Sequence, residues 1–172
     1  MATKRRSVKR KGPSGVESIT TCLAFKDGGE EAVKFYVSVI PNSKITSLNR
    51  SEADGMIPKG GLQSATFTLG GREFTAFDGG PSFSFAVGMS LMVMCRTQRE
   101  IDRLWEKFTE GGQPGPCGWL TDRWGVSWQI IPTSLGKMLS DAEHGNTEAA
   151  VKAMLKMGKL DIATLERAYR ER

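Results

Sequence analysis

Two stretches of this chain repeat one order of apolar and polar periodicities, and that order predicts the architecture. Ile19–Phe25 (ITTCLAF) is an apolar-leaning run of strand length. Asp27-Gly28-Gly29 turns the chain, and Glu30–Val39 then sets Ala32, Phe35, Tyr36 and Val39 on one helical face, with Pro41 as the stop. Lys44–Asn49 predicts a strand and residues 51–61, rich in Gly, Pro and charge, a loop. Leu62–Leu69 and Phe74–Phe77 flank Gly70-Gly71 as a hairpin, after which Asp78-Gly79-Gly80-Pro81 breaks the pattern. The order then recurs. Val87–Cys95 reads as a strand, and Thr97-Gln98-Arg99-Glu100 has the form of a capping box. That box opens a helix carrying Ile101, Leu104, Trp105 and Phe108 on one face and ended by Gly111-Gly112. Gln113–Cys117 is a loop or edge strand, and a second hairpin follows, Trp119–Thr121 and Val126–Ile131, around Asp122-Arg123-Trp124-Gly125.

The second hairpin holds three of the four tryptophans. Strand alternation points Val126, Trp128 and Ile130 one way, toward a covering layer, and Ser127, Gln129 and Ile131 the other. Each half thus runs strand, helix, then two or three strands, which predicts an α+β fold of paired βαβββ modules over 19–82 and 83–133. With helices on one face, the other face of each sheet is free to curl around a cavity. Leu135–Ser140, Glu148–Met157 and Ala163–Tyr169 predict a C-terminal helical cap over 134–172, with Asp161 as the N-cap of the last helix.

Charge changes this picture only at one end. The formal net charge is +5, yet Lys4, Arg5, Arg6, Lys9, Arg10 and Lys11 precede any acid, leaving 18 basic against 19 acidic residues elsewhere. The expectation is a disordered basic tail over 1–18, with polyanion contact through those six side chains as its functional alternative. No apolar run approaches the ~20 residues that span a bilayer, and no apolar segment follows the basic start as in a secretory signal. Cys22, Cys95 and Cys117 are odd in number and lack a CxxC pair, and His144 is the single histidine. A disulfide framework or structural zinc site needs more, and a reducing, cytoplasmic setting is expected. Cys22 and Cys95 are expected as buried, inert thiols, Cys117 as the more accessible one and His144 as a solvated surface group.

EEAVKFY with IPNSKI, the DGGP after the first hairpin, CGWLTDRWGVSWQIIPT and AMLKMGKLDIATLERAY together resemble the vicinal oxygen chelate superfamily of glyoxalases and bleomycin-resistance proteins. They are most similar to its PhnB-like branch, labelled 3-demethylubiquinone-9 3-methyltransferase. The resemblance spans about Ile19 to Tyr169 and implies the glyoxalase/bleomycin-resistance-like fold and a homodimer. It also implies metal-ligand positions on the first and last strand of each module, which fall here on Thr20, Thr75, Ser90 and Gln129. All four are neutral, a poor donor set for a divalent cation. The Gly-Gly pairs are read as turns between hairpin strands, not as the Gly-rich loop that a Rossmann-type methyl-donor site needs after a parallel strand in a repeated β-α sheet. The expectation is therefore no metal and no cofactor. Thr20, Cys22, Ala24, Thr75, Phe77, Ser90, Met92, Met94, Ser127 and Gln129 are expected on concave faces that hold an apolar or aromatic small molecule, with Trp124 as an exposed stacking partner. The alternatives are a metal-dependent glyoxalase- or dioxygenase-like enzyme, or the methyltransferase that the family label implies. Asp78 and Asp122 are read as turn residues at equivalent hairpin ends, with a pocket-mouth role as the alternative.

Overall fold

A computed structural model describes residues 18–86 and 88–171; the basic residues Lys4 to Lys11 lie outside them. The first module comprises β1 (Thr21–Phe25), α1 (Gly29–Val39), β2 (Lys44–Arg50), β3 (Leu62–Leu69) and β4 (Arg72–Asp78). The second comprises β5 (Leu91–Cys95), α2 (Gln98–Thr109), β6 (Gln113–Pro114), β7 (Trp119–Thr121) and β8 (Ser127–Pro132), and α3 (Leu135–Ser140), α4 (Thr147–Leu155) and α5 (Ile162–Arg170) close the chain. The sheets have orders β1-β4-β3-β2 and β5-β8-β7-β6. In both, the first strand runs parallel to the last, the crossover being the helix, and the remaining pairs are antiparallel.

The local signals explain most of these boundaries. Gly70 and Gly71 both take positive φ (57° and 83°), the demand of a two-residue type I′ hairpin turn. Thr97 caps α2 as expected, its hydroxyl accepting from Glu100 N while the Glu100 carboxylate accepts from Thr97 N and Arg96 N. The Asp161 carboxylate accepts from Thr164 N at the start of α5. β5 is shorter than the apolar run suggested, starting at Leu91, because β8 offers ladder partners only from Trp128 to Pro132.

What joins the modules was not visible in the pattern. α1 and α2 meet back to back, with Phe35 and Phe108 edge to face at 5.4 Å, Tyr36 and Trp128 at 5.1 Å and Phe108 and Trp128 at 4.4 Å. Tyr36, Phe108 and Trp128 are almost wholly buried. Each such side chain contributes about 1.5–3 kcal/mol by leaving water. Trp128 lies beneath the helices, as alternation required. Asp78 and Asp122, by contrast, are not equivalent. Asp78 ends β4 opposite Phe25, where the second module has Pro132 opposite Cys95, whereas Asp122 opens the turn between β7 and β8. Asp78 is a buried tie: its two carboxylate oxygens accept from Gly29 N at the start of α1 and from Leu62 N at the start of β3.

Candidate functional site

The faces turned away from the helices are set by strand register. Cys22 pairs with Thr75 and Ala24 with Phe77 in the first module; Met92 pairs with Gln129 and Met94 with Ile131 in the second. Directly paired residues project from the same face, so Cys22, Thr75, Met92 and Gln129 occupy corresponding places, with Thr20 and Ser90 one side-chain step before them. On β1 and β5 these faces are thinly covered, with Cys22 exposed and Met92 and Met94 54% and 50% exposed, whereas Ser127 and Ile131 on β8 are buried. Cys22 is thus not the buried thiol expected of a strand cysteine, because its side chain falls on the uncovered face. Cys95 is that buried thiol, and burial pushes it up to about 11.

An open groove of about 1100 Å³ runs between β1 and β5, the end strands of the two sheets among the described residues. Thr20, Ser90, Met92 and Met94 line it, together with Ile19, Arg72 and Arg103. Cys22, Thr75, Phe77, Trp124 and Gln129 are not among its lining residues. Of the four neutral positions only two meet. Gln129 Nε2 donates to Ser90 Oγ at 2.8 Å, whereas the Thr20 hydroxyl is turned onto its own sheet, donating to Glu73 O at 2.9 Å. The Ser90–Gln129 pair leaves an O–H donor and an amide oxygen acceptor for other partners.

Trp124 is not a concave-face residue. It is half-buried where the modules join, with Nε1 facing the start of α1 at Gly28, Tyr36 at 5.7 Å, and the Arg123 guanidinium over its ring at 4.9 Å. The same turn supplies the residue that sequence reasoning undervalued. Asp122 is 4% exposed, and its carboxylate accepts from Tyr36 Oη (2.7 Å), Trp128 Nε1 (2.8 Å), Trp124 N (2.9 Å) and Val126 N (3.0 Å). Burial raises its pKa against the pull of those four donors, and burial beside the carboxylate lifts the Tyr36 phenol well above its ordinary value. This acid binds the two modules together from behind; it does not face the open sheets. An Asp two residues ahead of an aromatic turn residue was the only sequence signal for it, and turn chemistry accounts for that equally well.

The donor set does not fit a divalent cation. Among the described residues no group of three or more His, Cys, Asp or Glu side chains comes together to hold one. His144 is exposed as expected and pairs through Nδ1 with Asp141 at 2.7 Å in the helical cap.

The family described as 3-demethylubiquinone-9 3-methyltransferase matches residues 17–131. The PhnB protein from Bacillus cereus is 37% identical over 68% of this chain and 100% of its own, with a TM-score of 0.63. A protein from Pseudomonas aeruginosa is 22% identical over 68% of this chain and 98% of its own, with a TM-score of 0.56. The fosfomycin resistance protein FosX from Listeria monocytogenes, solved with Mn(II) and sulfate, is 16% identical over 75% of this chain and 100% of its own, with a TM-score of 0.51. The last two show a shared fold. No curated protein matches the sequence.

Proposed function

The chain belongs to the 3-demethylubiquinone-9 3-methyltransferase family, the PhnB-like branch of the vicinal oxygen chelate superfamily, and within that family we propose that it binds or sequesters a small apolar or aromatic molecule without a metal. The observation that carries this reading is the Ser90–Gln129 hydrogen bond: two neutral groups satisfy each other at corresponding first- and last-strand positions, beside the thioether wall of Met92 and Met94. Amide and hydroxyl oxygens without carboxylate, imidazole or thiolate partners are weak ligands for a first-row cation but good orienting groups for a neutral ligand. Methionines supply an adaptable, polarisable wall for an aromatic ring.

Two supporting expectations belong to the same reading. The protein is proposed to be a homodimer, because among the described residues β1 and β5 are both edge strands with unpaired outer edges and exposed apolar side chains beside them. A cytoplasmic location is consistent with three free cysteines and with the absence, among the described residues, of any helix long and apolar enough to cross a membrane.

The methyl-transfer reading is favoured by the descriptions of the family and of the Bacillus cereus PhnB protein. Its methyl donor would need an open binding loop at the carboxyl ends of a parallel sheet; here only one strand pair per sheet is parallel, and the glycines that follow β1 and β4 are covered, Gly28 by Trp124, Gly29 by Asp78 and Gly79 by the ring of Phe83. Native mass spectrometry of gently purified protein tests the proposal. The expected result is a dimer carrying an organic molecule and no stoichiometric divalent ion. A tightly held divalent ion at one per site, or saturable calorimetric binding of S-adenosylmethionine, would sink it.

A further inference from the structure

Corresponding positions on the two open faces have contrasting neighbours. Two residues beyond Thr75 on β4 stands Phe77, and two residues beyond Gln129 on β8 stands Ile131; both project from the open face of their sheet. Phe77 is met edge to face by Phe83 at 5.6 Å, from the segment that joins the modules. This contact is built into the backbone, since a Cβ on Gly79 would stand 2.4 Å from the Phe83 ring. Ile131 is 6% exposed, although its parallel partner Met94 is 50% exposed. It is covered by the C-terminal helices, in a separate apolar cluster with Leu135, Met138, Leu160 and Leu165.

The cap that provides this cover is fastened to the second module at several points. Gln98 at the start of α2 clips it twice, donating to Leu160 O at 3.0 Å and accepting from Ile162 N at 2.8 Å. Cys117 N and Gly118 N donate to Met157 O and Gly158 O, and Lys159 pairs with Asp102 at 2.6 Å. The region matched by the family stops at residue 131, just before these helices. Two unrelated elements, a loop aromatic and a helical cap, therefore close one register position in the two modules.

Resting on the reading of these faces as ligand-binding, we infer that each is a trough closed at one end, by Phe83 over Phe77 and by the helical cap over Ile131, so that a ligand held at the orienting position extends only a short way in that direction. Two strand residues separate the orienting position from the wall, about 7 Å at ~3.3 Å per residue. That is room for about one ring past Gln129, not for a long alkyl or prenyl chain running toward the cap. The second trough is open on its β5 side, where Met92 and Met94 are half-exposed, since Ser127 beside Ser90 is itself 5% exposed.

The test uses the full chain and a series of n-alkyl esters of 4-hydroxybenzoate, methyl to octyl, titrated by calorimetry. Affinity is expected to rise through the short esters and to stop rising by about butyl, where ~0.8 kcal/mol per added CH₂ would otherwise continue the climb. Ile131→Ala opens the wall of the second module and is expected to raise the octyl-to-ethyl affinity ratio by about tenfold, the gain of roughly two further buried methylenes. Phe83→Ala does the same for the first module from a partly exposed position, and keeps the test decisive should Ile131→Ala fail to fold. A steady climb to octyl in the unaltered protein, with a ratio that neither substitution changes, would overturn the closed trough and leave the binding reading standing. Failure of every ester to bind would overturn the binding reading and this inference with it.

Discussion

Replacing Asp122 by alanine strands four donors at once: the Tyr36 hydroxyl, the Trp128 indole N–H and the amides of Trp124 and Val126. Tyr36 and Trp128 are 0% and 1% exposed, so neither donor reaches bulk water without moving the module junction. An unsatisfied buried donor costs about 1–3 kcal/mol. The Trp124 amide sits in a part-buried turn and can take water, while the Val126 amide is buried, so the two side-chain donors give a lower bound. Two orphaned side-chain donors therefore set the loss at about 3–5 kcal/mol, a large part of the ~5–15 kcal/mol that holds a domain together. In a chain of this size that corresponds to a fall in Tm of roughly 6–20 °C. The assay is thermal and urea unfolding of Asp122→Ala, Tyr36→Phe and the double variant, followed by far- and near-ultraviolet circular dichroism. Tyr36→Phe removes one of the donors that Asp122→Ala strands, so the double variant should be more stable than the two single losses predict, by about 1 kcal/mol or more. Additive losses, or an Asp122→Ala loss below about 1 kcal/mol, would refute the argument that this carboxylate joins the modules.

Three further outcomes follow from particular contacts. Gln98→Ala removes both hydrogen bonds of the clip to Leu160 and Ile162; amide exchange across α3 to α5 should quicken by about tenfold or more while β3 and β4 keep their protection, and unchanged protection in the cap would contradict the clip. A thiol reagent at mildly alkaline pH should modify exposed Cys22 first, half-buried Cys117 later and Cys95 only on unfolding. Because burial raises the Cys95 thiol from 9.0 to about 11, its contribution to stability is intact below pH ~9 and is lost as pH rises through about 11; early labelling of Cys95 would contradict its place in the core. Hydrogen bonding from Arg50, then Lys34, lowers Glu30 to about 2. Its contribution is present above the unfolded value near 4.5 and is lost as pH falls toward 2, so Glu30→Gln should cost no more than about 1 kcal/mol at neutral pH and flatten the acid limb of a stability profile in low salt. An acid limb that Glu30→Gln leaves unchanged would show the ion pairs to be idle.

Periodicity alone specified the paired modules, the hairpins and the covered side of each sheet, because a strand's two-residue alternation and a helix's 3.6-residue stripe are properties of the local chain. Gly70-Gly71 announced its turn and Thr97-Gln98-Arg99-Glu100 its helix start, since the partners that satisfy those backbones lie within a few residues. The same logic separated Trp128 from Gln129 across β8. Only the tertiary structure decided what stands beside those faces. Asp122 reads as an ordinary turn acid until Tyr36, 86 positions earlier, donates to it. Trp124 reads as an exposed ring until α1 arrives beneath it. Cys22 and Cys95 both read as strand thiols, yet the helix that covers one face leaves Cys22 in the open and buries Cys95. Contacts between residues far apart in the chain depend on how preformed faces dock, and docking sums many weak contacts that no short window of sequence contains.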